Sequence, residues 1–392
     1  MDDYKFNTLS IHGGDEGKNP ENALNYPLFL TSTFTFNDLE HAEKTFSFEC
    51  KDYVYTRGNN PTTRLLEKRL ACLEGGADCV VFSSGMAAIS SALLSLLKPG
   101  DELIAHQVLY GSSYKVIKEV LPRYGIKTSF IDLTQIDKLK TGITDKTTLI
   151  YFETPVNPNL EIIDIKEVSQ LCSSHNIKVV VDNTFATPFY QNPLKLGADV
   201  VIHSATKYLN GHGDVLAGAV IARDQEYIHE LKFNYLTELG GVLSPFNSWL
   251  VLRGLKTLGL RMREHEKNAS KIAKYLKNHP GINRVYYPGL QDFKGYEIAK
   301  KQMSGFGAII SFEIMGGYQD IKRAVESLNL IKLAVSLGDA ETLIEYPFGM
   351  THRDYSGQEL ARMGLNKNMV RLSVGLENYE DIIADLDQAL SK

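Results

Sequence analysis

KVVVDNTFATPFYQNPLKLGADVVIHSATKYLNGHGD, residues 178–214, holds two short runs rich in β-branched residues, KVVVD and ADVVIH, each giving way to polar residues. Such runs read as strands buried on both faces, which implies a mostly parallel sheet with helices packed on either side. The first run ends on Asp182; the second is followed by Ser204, Thr206 and Lys207. Ligands of open α/β sheets bind outside the carboxyl ends of the strands, and all four polar residues fall there.

The same alternation continues outward. CVVFSS (79–84), DELIAHQ (101–107), IKTSFID (126–132), TTLIYFETP (147–155) and AGAVIARD (217–224) are predicted strands. Helical spacing separates them in TTRLLEKRLACLEG (62–75), which stops at Gly75-Gly76, in GMAAISSALLSLLKPGD (85–101) and in DIKEVSQLCSSHN (164–176). Residues 61–250 are therefore expected to form an α/β domain with a largely parallel sheet. Residues 1–60, interrupted by Pro20 and Pro27, read as an arm that packs on another body, such as a second subunit. Residues 251–392 change character. A long helical passage (243–279), interrupted near Gly254 or Gly259, leads to a strand GAIISFEI (307–314) and a helix DIKRAVESLNL (320–330). A strand VRLSVGL (370–376) and an amphipathic end, YEDIIADLDQALSK (379–392), complete a smaller C-terminal α+β domain.

Composition narrows the classes. With 392 residues, 43% hydrophobic and 23% charged, the chain is globular and long enough for two or three domains. A net charge of -5 gives no basis for nucleic-acid binding. MDDYKFNTLSIHGG has no apolar secretory core, and no uninterrupted apolar run approaches the ~20 residues of a membrane span. A cytoplasmic protein, without membrane or nucleic-acid partners, is expected. Cys50, Cys72, Cys79 and Cys172 show no metal-ligand spacing, so no metal is expected. Neither GxxxxGK[ST] nor a GxGxxG after a strand occurs, which argues against P-loop and dinucleotide enzymes.

Several polar residues carry chemistry. SSGMAAI, at a strand end entering a helix, offers the Gly85 and Met86 N–H groups to a phosphate, and Ser204 and Thr206 can donate from another strand end. A carboxylate (Asp182) and an amine (Lys207) at such strand ends are what pyridoxal phosphate needs: one keeps the ring nitrogen protonated, the other bonds the aldehyde. Taken singly, Asp182 before Asn-Thr fits a turn residue and Lys207 a solvated lysine. Their co-occurrence with phosphate-type strand ends points to a cofactor site. Tyr55 and Arg57, in YVYTRGNNPTTR, suit a phosphate or an ordinary salt bridge at a helix start. Arg371, in an apolar strand, needs an anionic partner, either a substrate carboxylate or a structural Asp or Glu. Tyr110, in VLYGSSY, suits stacking on a flat ring or filling a core. A non-enzymatic module binding a phosphate-bearing metabolite is the rival from another class.

In order along the chain, YTRGNNPT, SSGMAAI, ETPVNPN, VDNTFATP, HSATKYLNGHGD, RGLKTLGLRM, SLGDAETLIEYPFGMTH and VRLSVGLEN resemble the Cys/Met-metabolism family of pyridoxal-phosphate enzymes. The resemblance spans nearly the whole chain. It implies the aspartate-aminotransferase-like fold type I and a homotetramer built from two catalytic dimers. Lys207 matches the family's lysine bonded to the cofactor, Asp182 the partner of the ring nitrogen, and Tyr110 the stacked tyrosine that assists as acid or base. Gly85, Met86, Ser204 and Thr206 match phosphate ligands, and Asn157 a residue beside the ring hydroxyl. Tyr55 and Arg57 match a pair that reaches the phosphate of the neighbouring subunit. Arg371 and Ser336 match the clamp on an amino-acid substrate's carboxylate.

The resemblance further implies γ-elimination from a sulfur amino acid, with L-methionine giving methanethiol, 2-oxobutanoate and ammonia. Val335 and Val54 stand where members acting on cystathionine carry acidic residues, and apolar residues there suit an uncharged thioether. AVSLGDAETLI is also nearer to methionine gamma-lyases. Ser112, Lys115 and Thr237-Glu238 depart from that subgroup. Cystathionine gamma-lyase or synthase and O-acetylhomoserine sulfhydrylase activities, the latter a γ-replacement, therefore stay open.

Overall fold

A computed structural model describes residues 4–15, 17, 19–353 and 355–391. The start of the predicted arm, residues 1–3, lies outside them. Seven strands, β1 (Asp78–Phe82), β2 (Glu102–His106), β3 (Lys127–Ile131), β4 (Thr147–Glu153), β5 (Lys178–Asp182), β6 (Val200–His203) and β7 (Gly218–Ala222), form one sheet in the order β1-β7-β6-β5-β4-β2-β3. All seven occupy stretches predicted from the sequence. β7 runs antiparallel to β1 and β6, and the other pairs are parallel. Six strands thus point one way, and the polar segments after β1, β2, β4, β5 and β6 emerge along one edge.

The apolar runs are buried on both faces. Cys79 and Val81 pack into one core while Val80 and Phe82 pack into the other. This is the period-two alternation of a strand between two helical layers. Helix α1 (Pro61–Glu74) starts where Asn60 accepts the Thr62 N–H, and stops before Gly75 as predicted. Helix α2 (Gly85–Leu96) follows β1 directly.

The predicted long helical passage divides into α3 (Pro245–Leu255) and α4 (Leu258–Asn278), with the break at Lys256-Thr257. Gly254 lies against the segment after Lys207: a Cβ there would come within 2.2 Å of the Asn210 carbonyl oxygen. The domain boundary expected at 250/251 falls within α3.

A second sheet contains β8 (Ile282–Tyr286), β9 (Ile309–Ile314), β10 (Lys332–Leu333), β11 (Leu343–Glu345) and β12 (Met369–Ser373), in the order β10-β11-β12-β9-β8. Only the β10–β11 pair is parallel. The sequence reading anticipated β9 and β12. It missed β8, whose apolar pattern is broken by the exposed Asn283 and Arg284, and the very short β10 and β11. Among the described residues no helix is long and apolar enough to cross a membrane.

Two buried histidines tie the layers together. His265 on α4 bonds the Val374 carbonyl, and His352 bonds the Asn157 carbonyl. Burial holds both imidazoles neutral, down to about 4. An unfolded chain takes up these protons near pH 6.5, whereas the folded chain refuses them until about pH 4. Stability is therefore present above the unfolded value and is lost as pH falls through that window, by up to about 3 kcal/mol for each imidazole. Urea unfolding midpoints should fall between pH 7 and pH 4.5, and less steeply in His265→Gln; a flat profile contradicts this.

Candidate active site

The strand-end edge opens into a cavity of about 240 Å³ lined by Gly85, Met86, Tyr110, Asn157, Asp182, Ser204, Thr206, Lys207, Val335 and Arg371. Parallel strands explain the convergence, because each places its carboxyl end at the same edge.

At one end the N-terminus of α2 meets Ser204. Ser84 caps the helix by accepting the Ala87 N–H, and the first bond to the helix's own carbonyls comes from Ala88. The Gly85 and Met86 N–H groups thus have no partner within the helix. A Cβ on Gly85 would lie 2.8 Å from Ser204 Cβ and 2.9 Å from its Oγ. Only glycine leaves this cradle open, and its free N–H groups and hydroxyl fit a phosphate. The Thr206 hydroxyl also lines the cavity, while exchanging hydrogen bonds with the Ala217 N–H and carbonyl.

Asp182 ends β5. Its Oδ1 accepts the Thr184 N–H at 3.0 Å and the Thr184 hydroxyl at 2.6 Å. Among the described residues Oδ2 has no protein donor, which suits a protonated ring nitrogen. Burial pushes the Asp182 carboxyl up, against the bonds from Thr184 and the nearby His203. On the same cavity, Lys207 Nζ donates to Ser336 Oγ at 3.3 Å. Burial, with Arg371 in support, lowers the lysine amine, opposed by Asp339 and Glu345. Lowering of this kind favours the neutral amine, the form that a nucleophile or base requires. These features together fit pyridoxal phosphate: a phosphate cradle at one end, a carboxylate with a spare oxygen, and a desolvated amine.

Arg371, on β12, is buried and stands opposite Glu345 of β11 in register. Its Nη1 lies 3.0 Å from Glu345 Oε1 and donates to Asn157 Oδ1 at 2.9 Å, and Nη2 donates to the Ser336 carbonyl at 3.1 Å. The structural-acid partner weighed from the sequence is thus present. A guanidinium carries five donors, so the Nε side keeps capacity, and among the described residues Nε has no partner. A carboxylate fits that edge.

Tyr55 and Arg57 are not brought to this cavity. They are exposed and line a separate cleft of about 830 Å³ with Val54 and Thr237, the Arg57 guanidinium lying 5.8 Å from the Tyr55 ring. Val335 lines the cavity although 56% exposed. Lys115 is exposed on the short helix Gly111–Lys115.

Sequence reasoning passed over Glu153, Thr184, Phe185 and Glu345. Glu153 had a usable signal: a carboxylate closing the apolar run TTLIYFE, the same pattern that marked Asp182 in KVVVD. Thr184 and Phe185 sit beside Asp182 without a spacing that marks them. Glu345 is defined only by its cross-strand partner.

The family described as Cys/Met metabolism PLP-dependent enzyme matches residues 7–391. An L-methionine gamma-lyase from Fusobacterium nucleatum subsp. polymorphum is 48% identical over 391 residues, covering 99% of this chain and 98% of the relative. A cystathionine beta-lyase from Lactococcus lactis subsp. cremoris is 45% identical, covering 98% of each. A solved Campylobacter jejuni structure described as an O-acetylhomoserine (thiol)-lyase is 33% identical with a TM-score of 0.96, covering 99% of this chain and 100% of that one. It carries N′-pyridoxyl-lysine-5′-monophosphate.

Proposed function

The chain belongs to the Cys/Met metabolism PLP-dependent enzymes, and on that premise we propose that it is a carbon–sulfur lyase converting L-methionine and water to methanethiol, 2-oxobutanoate and ammonia. The observation that carries this reading is the meeting, in one cavity, of the Lys207 amine, the Asp182 carboxyl and the Gly85–Ser204 cradle. Gly85, Met86, Ser204 and Thr206 would hold the phosphate of pyridoxal phosphate, Asp182 its ring nitrogen, Tyr110 its ring face and Asn157 its hydroxyl side. When bound, that group supplies an electron sink for the bonds at the substrate's α-carbon.

The remaining work falls to the chain's own groups. Arg371 and Ser336 hold the substrate carboxylate, which orients the α-hydrogen. Lys207 Nζ, whose neutral form burial favours, takes the α-proton and then serves at Cβ. Asp182 keeps a negative charge opposite the ring nitrogen. Tyr110 moves a proton at the sulfur as the Cγ–S bond breaks and its electron pair leaves with the thiol. Leu216, Val335, Leu337 and Phe185 offer the side chain an apolar wall, which suits a thioether better than a charged distal group. The L-methionine gamma-lyase at 48% identity supports the same choice.

The proposal includes a homotetramer in which Tyr55 and Arg57 serve the neighbouring subunit's phosphate. Their exposure, and that of Leu24, Leu30 and Phe46 on the arm, supports it. A cytoplasmic setting is also proposed; the unpaired, buried Cys79 and Cys172 agree with a reducing compartment.

Side-by-side steady-state assay of methionine, cystathionine, cysteine and O-acetylhomoserine with added thiol tests the substrate. Methionine should give the highest kcat/KM. A ranking with methionine among the poorest would reject the lyase assignment, and a lead for O-acetylhomoserine would favour γ-replacement.

A further inference from the structure

Glu153 ends β4 as Asp182 ends β5, and the two residues stand opposite each other in register. Side chains in register on parallel neighbours share a face, and both of these line the cavity. Two carboxyls so placed raise the cost of ionising each other. Burial first, and Asp182 second, push Glu153 well above the usual carboxylate range, against the backbone N–H groups of Tyr110 and Asn157 and against Arg371. Asp182 is pulled back by Thr184 and His203. Of the two, Glu153 is the carboxyl pushed further from its ordinary range.

That carboxyl is engaged. Its Oε1 accepts the Tyr110 N–H at 2.8 Å, and the Asn157 backbone N–H lies close enough to favour its charged form. Asn157 in turn accepts Arg371 Nη1. One side chain thus joins the segment after β2, the segment after β4 and, through Asn157, the second sheet. No step of the chemistry above uses it.

We propose that Glu153 is a positioning residue of the cavity: its carboxyl ties the Tyr110 and Asn157 segments to the strand edge that carries Asp182, fixing where the Tyr110 ring and the Asn157 amide lie. This inference rests on the reading of the cavity as a pyridoxal-phosphate site. If Glu153 acts as a neutral acceptor, glutamine replaces it. Methionine, similar in volume but without a strong acceptor, does not.

The test uses the full chain loaded with pyridoxal phosphate, in Glu153→Gln and Glu153→Met forms. Cofactor dissociation constants come from absorbance titration of the cofactor-free chains, beside kcat and KM for methionine. The Gln form should stay within about threefold of wild type in both, whereas the Met form should lose about tenfold in cofactor affinity and in kcat, the scale of one or two lost hydrogen bonds. Gln impaired as severely as Met, or Met equal to wild type, overturns the inference. Should the Met form fail to fold, the Gln form decides alone: near wild type sustains the inference and tenfold loss ends it. A wild-type protein that binds no pyridoxal phosphate would instead bring down the reading of the cavity, and this inference with it.

Discussion

Lys207→Ala is expected to lose turnover on methionine by about ten-thousand-fold or more, the upper end of what a positioned acid–base group contributes, while melting within a few degrees of wild type. The two halves of this expectation have separate causes. Lys207 lines the cavity, and in the proposed mechanism it both bonds an aldehyde and carries the α-proton, so its removal would take two functions at once. It contributes little to folding, since its described hydrogen bond is a 3.3 Å contact with Ser336. Its burial already lowers the amine's proton affinity, a sign that the folded chain holds the charged form at a cost. Borohydride should fix the cofactor on Lys207 of the wild-type chain and leave the variant unlabelled, as read by mass of the Lys207 peptide. Wild-type-like turnover by the variant would falsify the proposed mechanism.

Asp182→Asn should come next in size, lowering turnover by roughly a hundred- to a thousand-fold, the kinetic equivalent of losing one partner of a buried charge pair. The amide oxygen can still accept both bonds from Thr184, so the change removes charge and leaves the geometry. Stability should move the opposite way. Because the carboxyl's folded value is raised, the native chain binds more protons than the unfolded one above the ordinary carboxylate range. The wild-type chain therefore forfeits stability as pH rises through the raised value. Without cofactor at neutral pH, the Asn form should melt no lower than wild type. Calorimetry of the cofactor-free proteins, paired with kcat, checks both signs; a variant that is strongly destabilised yet fully active would contradict the role given to Asp182.

The fold was largely legible because its signal is local. Short, mainly apolar runs of four to seven residues mark most strands of the large sheet, and the burial that selects them acts on each run separately. The candidate site was legible where a polar residue ends such a run, as Asp182 does, or follows one, as Ser204 and Lys207 do. Glu153 carried the same mark, but its role comes from Asp182 on the adjoining strand and from Tyr110 across the edge. Glu345 carried none, being a glutamate in a three-residue strand whose meaning is its partner Arg371.

The sequence alone determined the layered α/β architecture and the chemical inventory at its strand ends, because hydrophobic periodicity and residue type are properties of neighbours along the chain. Tertiary structure alone decided the strand order, the pairing of Glu153 with Asp182, and the bond from Arg371 to Asn157 across 214 residues. Those contacts depend on which strands pair and in what register. That choice is made by packing and hydrogen bonding between distant segments, and no spacing within one segment encodes it.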